Sequence, residues 1–191
     1  MTISKNYGTA LKKNMISLLI AAAGMTLSAA ELDISGNFAR LQTSGFPHDW
    51  YLNGSAGYKP APKFDSAAGN GARILHFSEI KGKSGFGVSS RKPFACIAGN
   101  KVVVTAKVKG SGAAWFGLQT FQKDKKWSGI LPAKSVILGK EFQEIKVELP
   151  VQDIRDRKTA SAILTFGASR NADLYISDLR AELVETQDLK N

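Results

Sequence analysis

The sequence predicts an all-β fold, an antiparallel β-sandwich or jelly roll, from three observations. Residues 101–121 alternate with a period of two: Val102, Val104, Ala106 and Val108 fall on one side, and Lys101, Thr105, Lys107 and Lys109 on the other. That is the pattern of a half-buried strand rich in β-branched residues. About nine short segments of this kind are separated by Gly- and Pro-rich turns, at the spacing of a sandwich. Beyond residue 30 no segment carries the periodicity of an amphipathic helix of three turns.

The chain opens differently. Lys5, Lys12 and Lys13 precede the apolar run 15–23, and Ser28-Ala29-Ala30 then offers small residues at the −3 and −1 positions. A basic start, a short apolar stretch and a small-residue boundary predict a cleaved secretory signal peptide over residues 1–30. Ser17, Gly24 and Thr26 keep the run shorter than the roughly 20 apolar residues of a membrane span. The chain is therefore expected to be exported, to the periplasm, the medium or the cell surface. Of the 191 residues, 30 fall in the leader and 161 remain, enough for one domain with its own core. The domain is assigned to residues 31–184, and the polar end, 185–191, to a flexible tail.

In order, residues 33–38 are read as a first strand, and 53–71, rich in Gly, Ala, Pro and Ser, as a loop or irregular edge. Residues 73–77 and 85–90 are further strands. After 101–109, Gly110-Ser111-Gly112 is expected to close a tight hairpin, because glycine permits the positive φ angles of such turns. Its second strand carries Ala114, Phe116 and Leu118 on one side and Trp115, Gln119 and Phe121 on the other. Residues 123–126 read as a hairpin tip before strands at 127–130 and 135–138. Gln143, Ile145, Val147 and Leu149 alternate with Glu144, Lys146 and Glu148 on a solvated strand ended by Pro150. Residues 162–167 are apolar on both sides, as in a central strand. In 174–183 the inward series steps from Ile176 to Leu179, a three-residue step that predicts a β-bulge near Asp178.

Without the leader the chain holds 23 Lys and Arg against 16 acids, a net +7. The charges are spread over outward strand positions, which makes a soluble surface. They form no basic stripe with base-stacking aromatics, so no nucleic-acid partner is expected. Outside the cytoplasm an acidic polysaccharide is the more sensible partner for the surplus. Cys96 is the one cysteine, so no intramolecular disulfide forms, and its apolar context predicts a buried, inert thiol. His48 and His76 lack metal-ligand spacing. His76, in an apolar strand, is read as a satisfied core imidazole.

Three stretches carry a resemblance. Gly36-Asn37-Phe38 followed by Gly45-Phe46-Pro47-His48-Asp49-Trp50, then Glu141–Val147, then Leu174-Tyr175-Ile176-Ser177-Asp178-Leu179 resemble the opening, middle and closing strands of bacterial carbohydrate-binding modules of the cellulase-C type. The resemblance spans most of 31–184 through short, degenerate motifs. It implies a galactose-binding-like jelly roll that binds glycans without catalysis, often with a structural calcium. Ala39 and Ser177 stand where the family has acids, and hard oxygen coordination of calcium needs carboxylates. No cofactor and no metal site are therefore expected.

Sugars are held by stacking on aromatic rings and by planar polar groups that bond to hydroxyls. Trp115, Gln119 and Phe121 share one strand side and Trp127 lies on the next strand; these four are the main candidates, with Tyr58 and Arg91 as loop contributors. Trp115 and Trp127 stand equally well as core or as ligand contacts, while Trp50, beside Tyr51, fits core packing better. No catalytic residues are assigned. The expectation is a monomeric, secreted, non-catalytic carbohydrate-binding module that takes a poly- or oligosaccharide on an aromatic and polar sheet face or in a loop cleft. The alternatives are a structural or protein-interaction sandwich at the cell surface, and a jelly-roll polysaccharide lyase or hydrolase.

Overall fold

Two antiparallel sheets pack face to face in a computed structural model that describes residues 29–53, 61–69 and 72–185. The first six strands are β1 (Ala29–Glu31), β2 (Trp50–Leu52), β3 (Lys63–Ala68), β4 (Arg73–Ser78), β5 (Phe86–Ser90) and β6 (Phe94–Ala95). The rest are β7 (Lys101–Ser111), β8 (Ala113–Phe121), β9 (Trp127–Ile130), β10 (Lys134–Ile137), β11 (Gln143–Pro150), β12 (Ser161–Ala168) and β13 (Asp173–Val184). The first sheet runs β11-β7-β13-β4-β3, with β1 also on β13; the second runs β10-β8-β12-β5-β2, with β9 on β8 and β6 on β12. The described residues contain no helix. This is the all-β sandwich that the alternation predicts.

The expected hairpin at Gly110–Gly112 does not form. β7 pairs with β11 and β13, whereas β8 pairs with β9, β10 and β12, so the chain changes sheets at this point. Gly110 and Gly112 take φ of 139° and 83°, and a Cβ on Gly110 would stand 1.7 Å from the Asp173 carbonyl oxygen. The glycines make a corner pressed onto the start of β13, and the apolar alternation runs through it from one sheet to the other.

Between the sheets lie the inward residues of both. Val102, Val104, Ala106 and Val108 of β7 face Phe116, Leu118, Leu164 and Phe166 of the second sheet, all in one buried cluster. Its aromatic part joins Trp50 to Phe166 at 5.2 Å and to Phe38 at 5.7 Å, and Phe77 to Phe86 at 4.5 Å between ring centroids. Trp50 is fully buried, and its indole N–H donates to the Ser35 carbonyl at 3.2 Å, which satisfies the single polar atom. The bulge in β13 is present: register shifts between Ser177 and Arg180, and Asp178 adopts a φ of 50°. The extra residue returns Leu179 to the core after Ile176.

Other expectations need correction. Residues 33–38 are not a strand: Ser35 and Phe38 have positive φ, the Asp33 and Asn37 side chains accept from the amides of Ser35 and Ala39, and a Cβ on Gly36 would sit 1.8 Å from the Leu179 carbonyl oxygen. The segment is an irregular plug that buries Ile34 and Phe38 at the sandwich edge. Within the supposed loop 53–71, β3 is a regular edge strand paired with β4 over its whole length. His76 is not in the core. It lies on the outer face of the first sheet, stacked on Tyr175 at 3.9 Å, with Nε2 2.6 Å from Asp173 and Nδ1 3.3 Å from Asp65. Leu75 and Phe77 take the inward side of the strand, and His76, between them, points outward with Ile74. Residues 1–28, all within the expected leader 1–30, and residues 186–191 of the expected tail lie outside the described residues. The expected cleavage boundary falls within β1, whose Ala29 and Ala30 pair with Val184 and Leu183.

Two outcomes follow from this packing. Trp50→Ala should cost roughly 3–5 kcal/mol of stability, as large-to-small core changes do, read from urea unfolding. Burial pushes the Cys96 thiol up to about 11, so at pH 8 folded protein should react with a thiol reagent far more slowly than protein unfolded in urea.

Candidate functional site

The second sheet turns to solvent the side of β8 that carries Trp115, Gly117, Gln119 and Phe121. Strand pairing extends this side into rows. Ser135, Trp115, Gly167, Gly87 and Asn53 form one, because Trp115 pairs with Ser135 and Gly167, Gly167 pairs with Gly87, and the Asn53 amide bonds the Gly87 carbonyl. Gly117, Thr165, Ser89 and Tyr51 form the next, and Ile130, Gln119 and Ile163 another. Trp127 pairs with Phe121 across the β8–β9 hairpin, which places both on this face.

Trp115 lies flat on the sheet. A Cβ on Gly167 would stand 2.5 Å from its Cζ2, and one on Gly87 would stand 3.0 Å from its Cη2. Two facing glycines thus make a bed for the indole, which a side chain on either would fill. The ring is half-buried and outside the core cluster. Beside it, Ser89 is a hub: its hydroxyl donates to Asn53 Oδ1 at 2.8 Å, accepts from Gln119 Nε2 at 2.8 Å, and lies 3.1 Å from Thr165 Oγ1. The Thr165 hydroxyl donates to the Val88 carbonyl at 3.0 Å. Ser89 and Thr165 are buried and Gln119 and Asn53 half-buried, so the network holds the amides in place while each keeps polar capacity to spare.

The face continues into a cleft of about 540 Å³ lined by Tyr51, Arg91, Phe94, Phe121, Lys125 and Ile163, among others. Arg91 rests over the Tyr51 ring at 5.2 Å from its centroid, within cation–π range. Lys125 comes from the β8–β9 turn, which is closed by bonds from Gln122 to Lys126 and from Lys125 to Gln122. In that turn a hydrogen bond from Lys126 holds the Asp124 carboxyl below its usual range. Trp127, 53% exposed, stands at the rim.

Five of the six candidate residues therefore fall on one face: Trp115, Gln119, Phe121 and Trp127 on the strands, and Arg91 in the cleft. Tyr58 lies outside the described residues. Asn53, Ser89, Thr165 and the two glycines were not foreseen as site residues. The available signal was glycine at the outward strand positions 87 and 167, since glycine inside a strand often marks a close approach.

The position where the resemblance implies calcium does not fit a metal. Ala39 and Ser177 offer no carboxylate, and Asp178 Oδ2 is 2.9 Å from the Lys107 ammonium. Among the described residues no group of three or more His, Cys, Asp or Glu is placed to hold an ion.

No protein-family profile and no curated protein sequence matches the chain. Solved structures do share its fold. An arabinose-bound GH51 α-L-arabinofuranosidase matches at 16% identity with a TM-score of 0.52, over 81% of this chain and 26% of that one. A cyclase from Fischerella sp. TAU matches at 12% identity and a TM-score of 0.60, over 84% of this chain and 100% of the cyclase. A CBM4 carbohydrate-binding module matches at 14% identity and a TM-score of 0.51, over 78% of this chain and 97% of the module. This chain thus spans about a quarter of the length of the arabinofuranosidase. At such identities the likeness is one of fold.

The glycine bed is testable by itself. The atoms nearest a Cβ on Gly87 belong to side chains, Asn53 Nδ2 at 2.7 Å and the Trp115 ring at 3.0 Å, so Gly87→Ala should fold. It should lift the indole and loosen Asn53, giving a shifted Trp115 fluorescence with little loss of melting temperature.

Proposed function

We propose that the protein is an exported, monomeric, non-catalytic module that binds a poly- or oligosaccharide across the outer face of the second sheet. The observation that carries this reading is Trp115 lying across Gly87 and Gly167, beside the hydroxyls and amides gathered around Ser89. A pyranose offers a C–H face for the ring and a rim of hydroxyls for Gln119, Asn53 and Ser89. Phe121 and Trp127 continue the aromatic track along β8 and β9, so the site accommodates more than one sugar unit. The fold shared with a carbohydrate-binding module and with part of an arabinofuranosidase supports the same reading. The groups on this face bind rather than react: aromatic rings, hydroxyls and amides, with His76 and its two carboxylates on the opposite sheet.

A glycan array probed with the chain lacking its leader tests this. Trp115→Ala and Trp127→Ala should each weaken binding by roughly tenfold or more, the equivalent of about 1.4 kcal/mol. Melting temperature should fall much less than in Trp50→Ala. Full affinity in both variants removes this face from the site. Binding to a protein partner with no glycan retained would favour an interaction module instead.

A further inference from the structure

We infer that the cleft at the Phe121 end of this face receives an anionic sugar, a uronic-acid residue of the bound glycan, with its carboxylate between Arg91 and Lys125. The inference rests on the glycan-binding reading above and names the chemistry of the ligand. Its first ground is charge without a partner. The cleft lining holds two cations and no carboxylate. No acid among the described residues pairs with Arg91 or Lys125, although their sequence neighbours are paired: Lys92 with Asp33 at 2.7 Å, and Lys126 with Asp124 at 2.8 Å. The available acids are thus consumed next door, and the two cations that line the cleft are left for something outside the chain.

The second ground is conformational. Lys125 adopts a φ of 64°, a region that a lysine rarely takes and that glycine or asparagine would occupy at lower cost. Arg91 rests over the Tyr51 ring, which keeps its guanidinium at the cleft. A planar guanidinium forms paired hydrogen bonds to a carboxylate, and the apolar walls of Phe94, Phe121 and Ile163 strengthen that attraction over its value in open water. Phe121 supplies the ring against which the uronate pyranose packs.

The experiment uses alginate, polygalacturonate and glucuronoxylan immobilised beside their carboxyl-reduced forms, probed with the chain lacking its leader and with variants of it. At least one uronate polymer should bind roughly tenfold more tightly than its reduced form. Arg91→Gln and Lys125→Gln should each abolish most of that preference, whereas Lys146→Gln, the same charge change on the opposite sheet, should leave it intact. Equal binding to acidic and reduced forms, or to neutral glycans only, overturns the uronate inference and leaves glycan binding standing. An equal effect of Lys146→Gln and Lys125→Gln would trace the preference to net charge and overturn it as well. No binding to any polymer, acidic or reduced, overturns both readings.

Discussion

The corner at Gly110–Gly112 is the constraint on which the rest of this sandwich depends. β7 lies between β11 and β13 in one sheet, and β8 lies between β12 and the β9/β10 pair in the other. A single chain passage therefore supplies an inner strand to each layer. It succeeds because the backbone turns where no side chain intervenes: a Cβ on Gly110 would overlap the Asp173 carbonyl, and one on Gly112 would press on Ala172. Alternation in step on both sides of the corner then directs Val108 and Ala114 to the same core. Burial of each such side chain contributes on the order of 1.5–3 kcal/mol for the larger aliphatic and aromatic residues, and no disulfide adds to it, since Cys96 is the one cysteine.

With the inner faces committed to packing, the outer faces diverge. The first sheet is covered by charge: Lys101 with Glu148, Lys107 with Asp178, and His76 held between Asp65 and Asp173 over Tyr175. Pairs of this kind are mostly solvated and add little each. The second sheet is covered instead by glycines, hydroxyls, amides and aromatic rings. Glycine in a strand interior is destabilising by roughly 0.5–1 kcal/mol relative to alanine, so the pair at 87 and 167 is a local loss. The gain is a tryptophan laid flat rather than standing from the pleat. The surface gives up backbone stability and presents a ring face, the feature on which the proposed glycan site is built.

The sequence by itself determined the sides. Period-two alternation assigns Trp115, Gln119 and Phe121 to one face whatever the strand pairs with, and the step from Ile176 to Leu179 locates the bulge at Asp178. Both are properties of a few consecutive residues. Whether that face, with Trp115 and Trp127, turned to solvent or to the core stayed open in the alternation, and only the structure exposes Trp127.

Tertiary structure decided the partners. Nothing local distinguishes a hairpin glycine pair from a sheet-to-sheet corner, because both need positive φ; only the fit of Gly110 against Asp173, far along the chain, selects the corner. His76 points outward by alternation with Leu75 and Phe77, but its meeting with carboxylates on β3 and β13 is set by strand pairing, and Ser89 meets Asn53, Gln119 and Thr165 because β2, β5, β12 and β8 lie side by side. Such pairings are set by how two twisted sheets share one core. Short-range periodicity states which way a side chain points, and long-range packing alone states what it will find there.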